Sequence, residues 1–389
     1  MMSKFQSTQK WLSQFLLSHR KIAEQLLDNL IFINTTDMME DLKFLIKGII
    51  SEKDKVAILP IRELRDDEYV YSLDDKDKNP VLQTSNEALG SEAFISNLYT
   101  QLNRENNVIF HMQKKEVESE WYDVSPSLNY LSEKKYTKLL LIDDLIGSGD
   151  RVQKYLENIF NHKTIKSWVS GGFLEIYIVA YMASDIGIEK INKRIKNLKG
   201  THLNYLHKAP TFHDVVGCDD ILELCKSYAS KNNKYPLGYK DCAVRVIFGH
   251  SAPNNIPAIL HSSTLKKFKA SDRSVSNSSA WHALFHKRVI PSDFLVDCKN
   301  KPHLNPRKII VNLLTLLSEG EYKEQELCHI FNLPAYEVDR ILNHLESFGW
   351  VNYDAGRYNL TLTGRSELIP KNKSLKQIES AVVFYYPWR

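Results

Sequence analysis

Apolar positions near a period of 3.6 open the chain. Trp11, Leu12, Phe15 and Leu16 are followed by Ile22, Leu26, Leu27 and Leu30, so residues 8–52 read as helices. Thr35, Thr36 and Asp37, all helix N-cap types, lead into a second amphipathic stretch over 38–50. The pattern then changes. Val56-Ala57-Ile58-Leu59 is a short apolar run stopped by Pro60, as expected of a buried strand. An acidic, irregular stretch over 66–79 reads as a loop, 93–103 as a helix and 108–110 as a strand. Residues 139–142 form a strand ending at Asp143-Asp144, with a helix over 152–160 after it. A strand over 174–182, a helix over 186–198 and a last strand over 243–248 continue the series. Strands alternating with helices of this length predict a parallel sheet with helical crossovers, an α/β fold.

The rhythm changes again towards the end. Residues 262–280 are rich in Ser and Lys and read as a linker. Helices follow over 307–318, 323–331 and 335–348. Two short alternating segments, 350–353 and 357–362, then flank Asp354-Ala355-Gly356 as a hairpin. That order predicts a C-terminal winged helix-turn-helix. The expected division is therefore an N-terminal helical segment (1–52), an α/β domain (53–262), a basic linker (263–305), the winged helix (306–369) and an aromatic tail (370–389). The tail, ending in Phe384-Tyr385-Tyr386-Pro387-Trp388-Arg389, is apolar enough to be expected against the protein's own core.

Composition narrows the class without naming a function. With 43% hydrophobic and 25% charged residues over 389 positions, disordered and fibrous chains are excluded. No apolar run approaches the roughly 20 residues of a membrane span, and the N-terminus lacks a signal-peptide pattern, so a cytoplasmic protein with no membrane partner is expected. Five cysteines without C-x-x-C spacing read as thiols in a reducing compartment, not as metal ligands.

The net charge of +4 is weak, but its distribution is uneven. Six basic residues and no acid fall in 190–208, among them Lys193, Arg194 and Lys196. Six more, including Lys266, Lys267 and Lys269, face only Asp272 over 261–290. Each run suits a solvated face as well as an anionic partner such as nucleic acid. The winged helix itself holds six basic residues against nine acids over 306–368. An acidic recognition helix opposes phosphate binding, which leaves the wing, through Arg357 and Arg365, as its nucleic-acid candidate.

The chemistry concentrates in Leu139-Leu140-Leu141-Ile142-Asp143-Asp144-Leu145-Ile146-Gly147-Ser148-Gly149. A strand delivers two carboxylates to a sheet edge, where ligands of open α/β sheets bind. Carboxylates accept hydrogen bonds from vicinal ribose hydroxyls. The small residues let backbone N–H groups approach a phosphate, and the helix beginning near Asp150 turns its positive end to the same anion. Gly147, Ser148, Gly149, Asp150 and Arg151 are thus the candidate phosphate loop.

This motif resembles the ribose-phosphate signature of type I phosphoribosyltransferases. The resemblance implies that fold, a catalytic role for Asp143 and Asp144, and Mg²⁺ carried on the ligand's phosphates. It also implies a ligand such as phosphoribosyl diphosphate or a nucleotide. The sequence departs from the pattern at Arg151, where a small residue is usual, and at Gly147, where purine-salvage members carry an acid. At 60–63, Arg62 is the candidate pyrophosphate contact in place of small residues, with a solvated or ion-paired arginine as the other reading and Gly90-Ser91-Glu92 as the alternative loop. Whether a glycosidic bond is made or broken stays open.

A second resemblance rests on Trp11-Leu12, Leu59-Pro60-Ile61-Arg62-Glu63, the acid-pair motif, the run from Gly249-His250-Ser251 through Asn254-Asn255-Ile256-Pro257, and the Phe384-Tyr385-Tyr386-Pro387 ending. Together they are similar to phosphoribosyltransferase-like proteins of prokaryotic conflict systems, including retron-associated ones. That implies an antiphage effector complexed with a reverse transcriptase and its DNA–RNA product. The alternative is a non-catalytic, nucleotide-sensing winged-helix transcription regulator. Asn254 and Asn255 suit contact with a base or hydroxyl as well as an Asx-turn. His250, with no carboxylate nearby in sequence, reads as structural.

Overall fold

The computed structural model describes residues 2–72, 78–79, 97–102, 104, 113–117, 120–124, 126–215, 217–229, 233–262, 281–295, 306–331, 333 and 335–368. The expected strand at 108–110, Lys266, Lys267, Lys269 and the aromatic tail lie outside them. The chain divides into two compact units, Met1–Leu295 and Val296–Arg389.

The first unit begins with helices α1 (Gln6–Leu12) and α2 (Leu17–Asp28), strand β1 (Ile31–Ile33), helix α3 (Thr35–Ile49) and strand β2 (Val56–Pro60). An antiparallel hairpin, β3 (Gln113–Val117) and β4 (Glu120–Val124), and helix α4 (Leu128–Glu133) precede β5 (Lys138–Ile146). Helices α5 (Asp150–Asn161) and α6 (Lys163–Ser170) lead to β6 (Glu175–Ala183), and α7 (Asp185–Ile195) leads to β7 (Thr201–Lys208). Helix α8 (Cys218–Tyr228), strand β8 (Val246–Phe248) and the short helix α9 (Ala258–His261) close the series.

Strands β2, β5, β6 and β7 form a parallel sheet in that spatial order. The predicted alternation is therefore present. Leu139, Leu140, Leu141 and Ile142 are all fully buried, as strands covered on both faces require. Val152, Tyr155, Leu156 and Ile159 of α5, with Ile165 and Ile191, supply one cover. Helix α3 packs against β6 and β7. The acid pair does not end β5: the strand runs on through Ile146, with Asp143 opposite Ala180 and Leu145 opposite Met182 of β6. The order β2-β5-β6-β7 never reverses among the described residues, so the acid pair owes its position to its place along β5.

A second core has no counterpart in the local pattern. Trp11, Leu26 and Leu27 of the first two helices and Phe15 between them pack with Phe212, Tyr228, Phe285 and Phe294. The indoles of Trp11 and Trp281 both donate to the Ile259 carbonyl, at 3.2 and 3.3 Å. Within 8–52, where helices are expected, β1 intervenes and pairs in parallel with β8, Ile31 opposite Val246. Three residues are too few to show a period, and their partner is remote in sequence. The strand expected at 243–248 accordingly joins β1 and not the central sheet. Strand β7 is also unforeseen, because its exposed and half-buried residues give an edge strand little apolar alternation.

The second unit contains α10 (Pro306–Glu319), α11 (Glu324–Phe331), α12 (Ala335–Ser347), the hairpin β9 (Val351–Asp354) and β10 (Arg357–Leu360), and α13 (Leu362–Leu368). Leu313, Leu317, Leu327, Val338, Leu342 and Leu345 form its core. Ala355 and Gly356 both have positive φ, the backbone that a two-residue hairpin turn with the twist of its strands requires. Among the described residues no helix is long and apolar enough to cross a membrane.

Candidate functional site

Beyond Ile146 the chain turns through Gly147-Ser148-Gly149 into α5, with Gly149 at φ +78°, left-handed, as the helix N-cap. The loop is clamped from two sides. A Cβ on Gly147 would lie 2.2 Å from the Asn255 side-chain nitrogen, and one on Gly187 would lie 2.5 Å from the Gly147 carbonyl oxygen. The Ser184 hydroxyl, which caps α7 by accepting from Gly187 N–H at 3.1 Å, donates to that same carbonyl at 2.6 Å. Ser148 is buried, and its hydroxyl accepts from Asp150 N–H at 3.3 Å. Small residues are thus required here by close approach of backbone to backbone and of Asn255 to backbone.

Asp143 and Asp144 are both buried. Asp143 Oδ1 accepts from Arg151 Nη2 at 2.5 Å and from Asp144 N–H at 3.0 Å. Its other oxygen, Oδ2, is buried and has no hydrogen-bond partner. Burial foremost, and the Asp144 charge beside it, push the Asp143 carboxyl up to about 8 against the pull of Arg151. Asp144 differs. Its Oδ1 accepts from Leu145 N–H at 2.8 Å, and its Oδ2 lies 2.9 Å from His250 Nε2. Arg151 Nη2 is 3.7 Å from Asp144 Oδ1. Burial works against the Asp144 carboxylate, but His250 and Arg151 outweigh it and hold the group well below the usual range. His250 itself stacks on Phe248 at 5.4 Å between ring centroids.

At the rim, Asp150 pairs with Lys190, accepts from the Tyr239 hydroxyl at 3.2 Å and lies 3.9 Å from Lys240 Nζ. Burial opposes its charge, yet Lys190, Tyr239 and Lys240 keep it ionised below the ordinary carboxylate value. The Asn254 carbonyl accepts from Tyr239 N–H at 2.9 Å and the Asn255 carbonyl from Val244 N–H at 3.1 Å, which ties this turn to the 239–244 segment. These groups enclose a cavity of about 240 Å³ lined by Asp143, Gly147 through Arg151, Glu63, Lys154, Tyr239, Asn254 and Asn255, among others.

Asp143, the phosphate loop and both asparagines are therefore together on the cavity wall, whereas Asp144 is absent from it and is held by His250. Arg62 is not there either: it is buried, ion-paired to Glu68, and absent from the cavity wall that its neighbours Glu63 and Leu64 help to line. Lys193 and Lys196 are exposed at the end of α7, and Arg194 Nε lies 3.7 Å from Glu157. In the second unit Arg357 donates to the Glu321 carbonyl at 3.1 Å, and Arg365 is exposed. Sequence reasoning read His250 as structural, counted Lys190 only in the 190–208 basic run, and passed over Tyr239 and Lys240. His250 had one usable signal, its place just past a strand's carboxyl end, where α/β sites gather. Tyr239 and Lys240 carried none.

A parallel sheet that carries an acid pair and a small-residue loop before a helix beside one cavity defines a phosphoribosyltransferase-like α/β protein. The family model described as PRTase-CE matches residues 8–287, and the chain belongs to that phosphoribosyltransferase-like family. The match runs from residue 8, within α1, to Lys287, so it takes in Trp11, Phe15, Trp281 and Phe285 of the second core and stops before Phe294. No curated protein matches the chain. Among solved structures, the AQ2163 protein from Aquifex aeolicus matches 25% of this chain and 41% of its own length. The identity is 16% and the TM-score 0.16.

Proposed function

We propose that the first unit binds a ribose-phosphate or nucleotide ligand in the cavity beside Asp143. In this reading the protein is the effector of a retron-type antiphage system, held in complex with a reverse transcriptase and its DNA–RNA product. The observation that carries the ligand reading is Asp143 Oδ2, a buried carboxyl oxygen with no hydrogen-bond partner on a residue that lines a polar cavity. A buried oxygen left unsatisfied costs about 1–3 kcal/mol, which a hydrogen bond with a ribose hydroxyl would recover. The Gly147 to Asp150 backbone and the start of α5 then meet the phosphate, and Asn255 and Tyr239 face the remainder of the ligand. The second unit, with three helices, a two-stranded hairpin and a short final helix, is read as a winged helix that docks protein, because its third helix carries Glu337, Asp339 and Glu346 against Arg340. Exposed Lys193 and Lys196 are the first nucleic-acid candidates.

Calorimetric titration of the full chain with ribose 5-phosphate tests the ligand reading. Saturable binding is expected, and Asp143→Ala with Asp144→Ala should remove it while the melting transition persists. Equal binding by that variant would sink the assignment. For the partners, purification from the native host should recover a reverse transcriptase with a short DNA–RNA hybrid. Lys193→Glu with Lys196→Glu should then reduce the nucleic acid recovered.

A further inference from the structure

The resemblance to type I phosphoribosyltransferases brings with it an expectation of Mg²⁺, and the charges around the acid pair bear on it directly. A divalent ion in such a site needs carboxylate oxygens or ligand phosphates that are not already matched by cations. Here each acid has the Arg151 guanidinium beside it, and the one carboxylate oxygen of the pair without a partner, Asp143 Oδ2, is buried. The Arg151 guanidinium lies 2.5 Å from Asp143 and 3.7 Å from Asp144, and His250 lies 2.9 Å from the far oxygen of Asp144. At the rim, Asp150 is matched by Lys190 and Lys240. Among the described residues no group of three or more His, Cys, Asp or Glu side chains could hold a metal ion. The residues present do not fit a divalent ion at the acid pair.

Arg151 does more than neutralise. It is the second residue of α5, and its guanidinium reaches from the start of that helix to the acid pair. About a third of its side chain is exposed, and it lines the cavity. Its hydrogen-bond partner among the described residues is Asp143, through Nη2. A guanidinium has five N–H donors in a planar fork, suited to paired contacts with a phosphate. The edge not turned to Asp143 is available to the ligand. A fixed guanidinium beside the acid pair can hold a phosphate there through its remaining N–H groups.

We propose that the cavity takes its anionic sugar ligand without a divalent cation, Arg151 bridging the acid pair and the ligand's phosphate where a metal would otherwise stand. The inference rests on the ribose-phosphate reading above.

The experiment is a titration of the full chain with ribose 5-phosphate, run once in excess EDTA and once in millimolar Mg²⁺. Wild-type affinity should agree between the two within about twofold. Arg151→Ala should bind at least about tenfold more weakly in EDTA, the scale of a lost charge-assisted hydrogen bond, and recover part of that loss on adding Mg²⁺. Arg151→Lys, which keeps a point charge beside Asp143, covers the case in which the alanine variant does not fold. It should bind more weakly than wild type and still be indifferent to EDTA. Wild-type binding that appears only with Mg²⁺ would overturn the inference and leave the ligand reading standing. Absence of binding in both buffers would overturn both.

Discussion

Asp143 and Asp144 are chemical twins one residue apart, yet the fold treats them in opposite ways. Asp144 is engaged on both oxygens, by Leu145 N–H and His250, whereas Asp143 keeps one oxygen buried and unmatched. The pH dependence of stability should therefore have opposite signs at the two positions. The Asp143 carboxyl is raised from 3.8 to about 8, so its contribution is fully present below about 4 and is lost as pH rises towards 8. Asp143→Asn, fixed neutral and still able to accept from Arg151, should melt higher than wild type, with a margin that widens over that window. Asp144 is lowered, so its contribution is present at neutral pH and is lost as pH falls below its unfolded value. Asp144→Asn should melt lower at neutral pH, with the deficit closing in acid. Melting curves across the range check both; parallel curves would mean that the two environments do not differ. A gain in stability at Asp143 alongside lost binding would mark the strain that functional sites keep.

Elements position these groups, and the tightest constraint lies where three of them meet. The loop after β5 touches the start of α7 through Gly187 and the 254–255 turn through Asn255. Gly147→Ala would drive a methyl into the Asn255 side chain and should cost about 1–3 kcal/mol, the usual penalty for overpacking. Asn255→Ala in the same chain should return most of it, because the overlap is with that side chain. A double-mutant cycle by denaturant unfolding reads this coupling, and additive losses would mean that the clash is relieved elsewhere. Gly149→Ala is a different case. It faces a positive φ, so it should lose about 1 kcal/mol that no second substitution recovers. The comparison separates crowding from backbone strain within a three-residue loop.

At the scale of the molecule, the first unit closes on itself by joining its ends. Trp11 and Phe15 come from the start, Trp281, Phe285 and Phe294 from the far end, and β1 pairs with β8 between them. The stretch expected to be a basic linker thus contains residues 281–295 that belong to this core. A chain ending at residue 295 should unfold cooperatively. One ending at residue 280 should not, because it loses Trp281 and two buried phenylalanines, each worth about 3–5 kcal/mol when truncated to alanine. Circular dichroism melts of the two fragments decide it: a sharp transition in the shorter one would show that the N-terminal helices need no such partner.

Much of this protein is written locally. The 3.6-residue periods, the short apolar runs and the turn residues give α5, α7, β2, β5 and β6 within a few positions, because burial of one helix stripe or a whole strand leaves its mark in neighbouring residues. The acid pair and its small-residue loop were legible for the same reason, being contiguous from 139 to 149. What the tertiary structure alone decided are the meetings of remote residues: His250 with Asp144, Asn255 with Gly147, Tyr239 and Lys240 with Asp150, and β1 with β8. The sequence also named Arg62 as a ligand contact, and the fold turned it towards Glu68; it named Arg151 only as part of a loop, and the fold laid it across the acid pair. A polar side chain carries no periodic signal that names its partner, since any carboxylate at hydrogen-bond distance satisfies an arginine or a histidine equally well. Which one arrives depends on how the whole backbone closes.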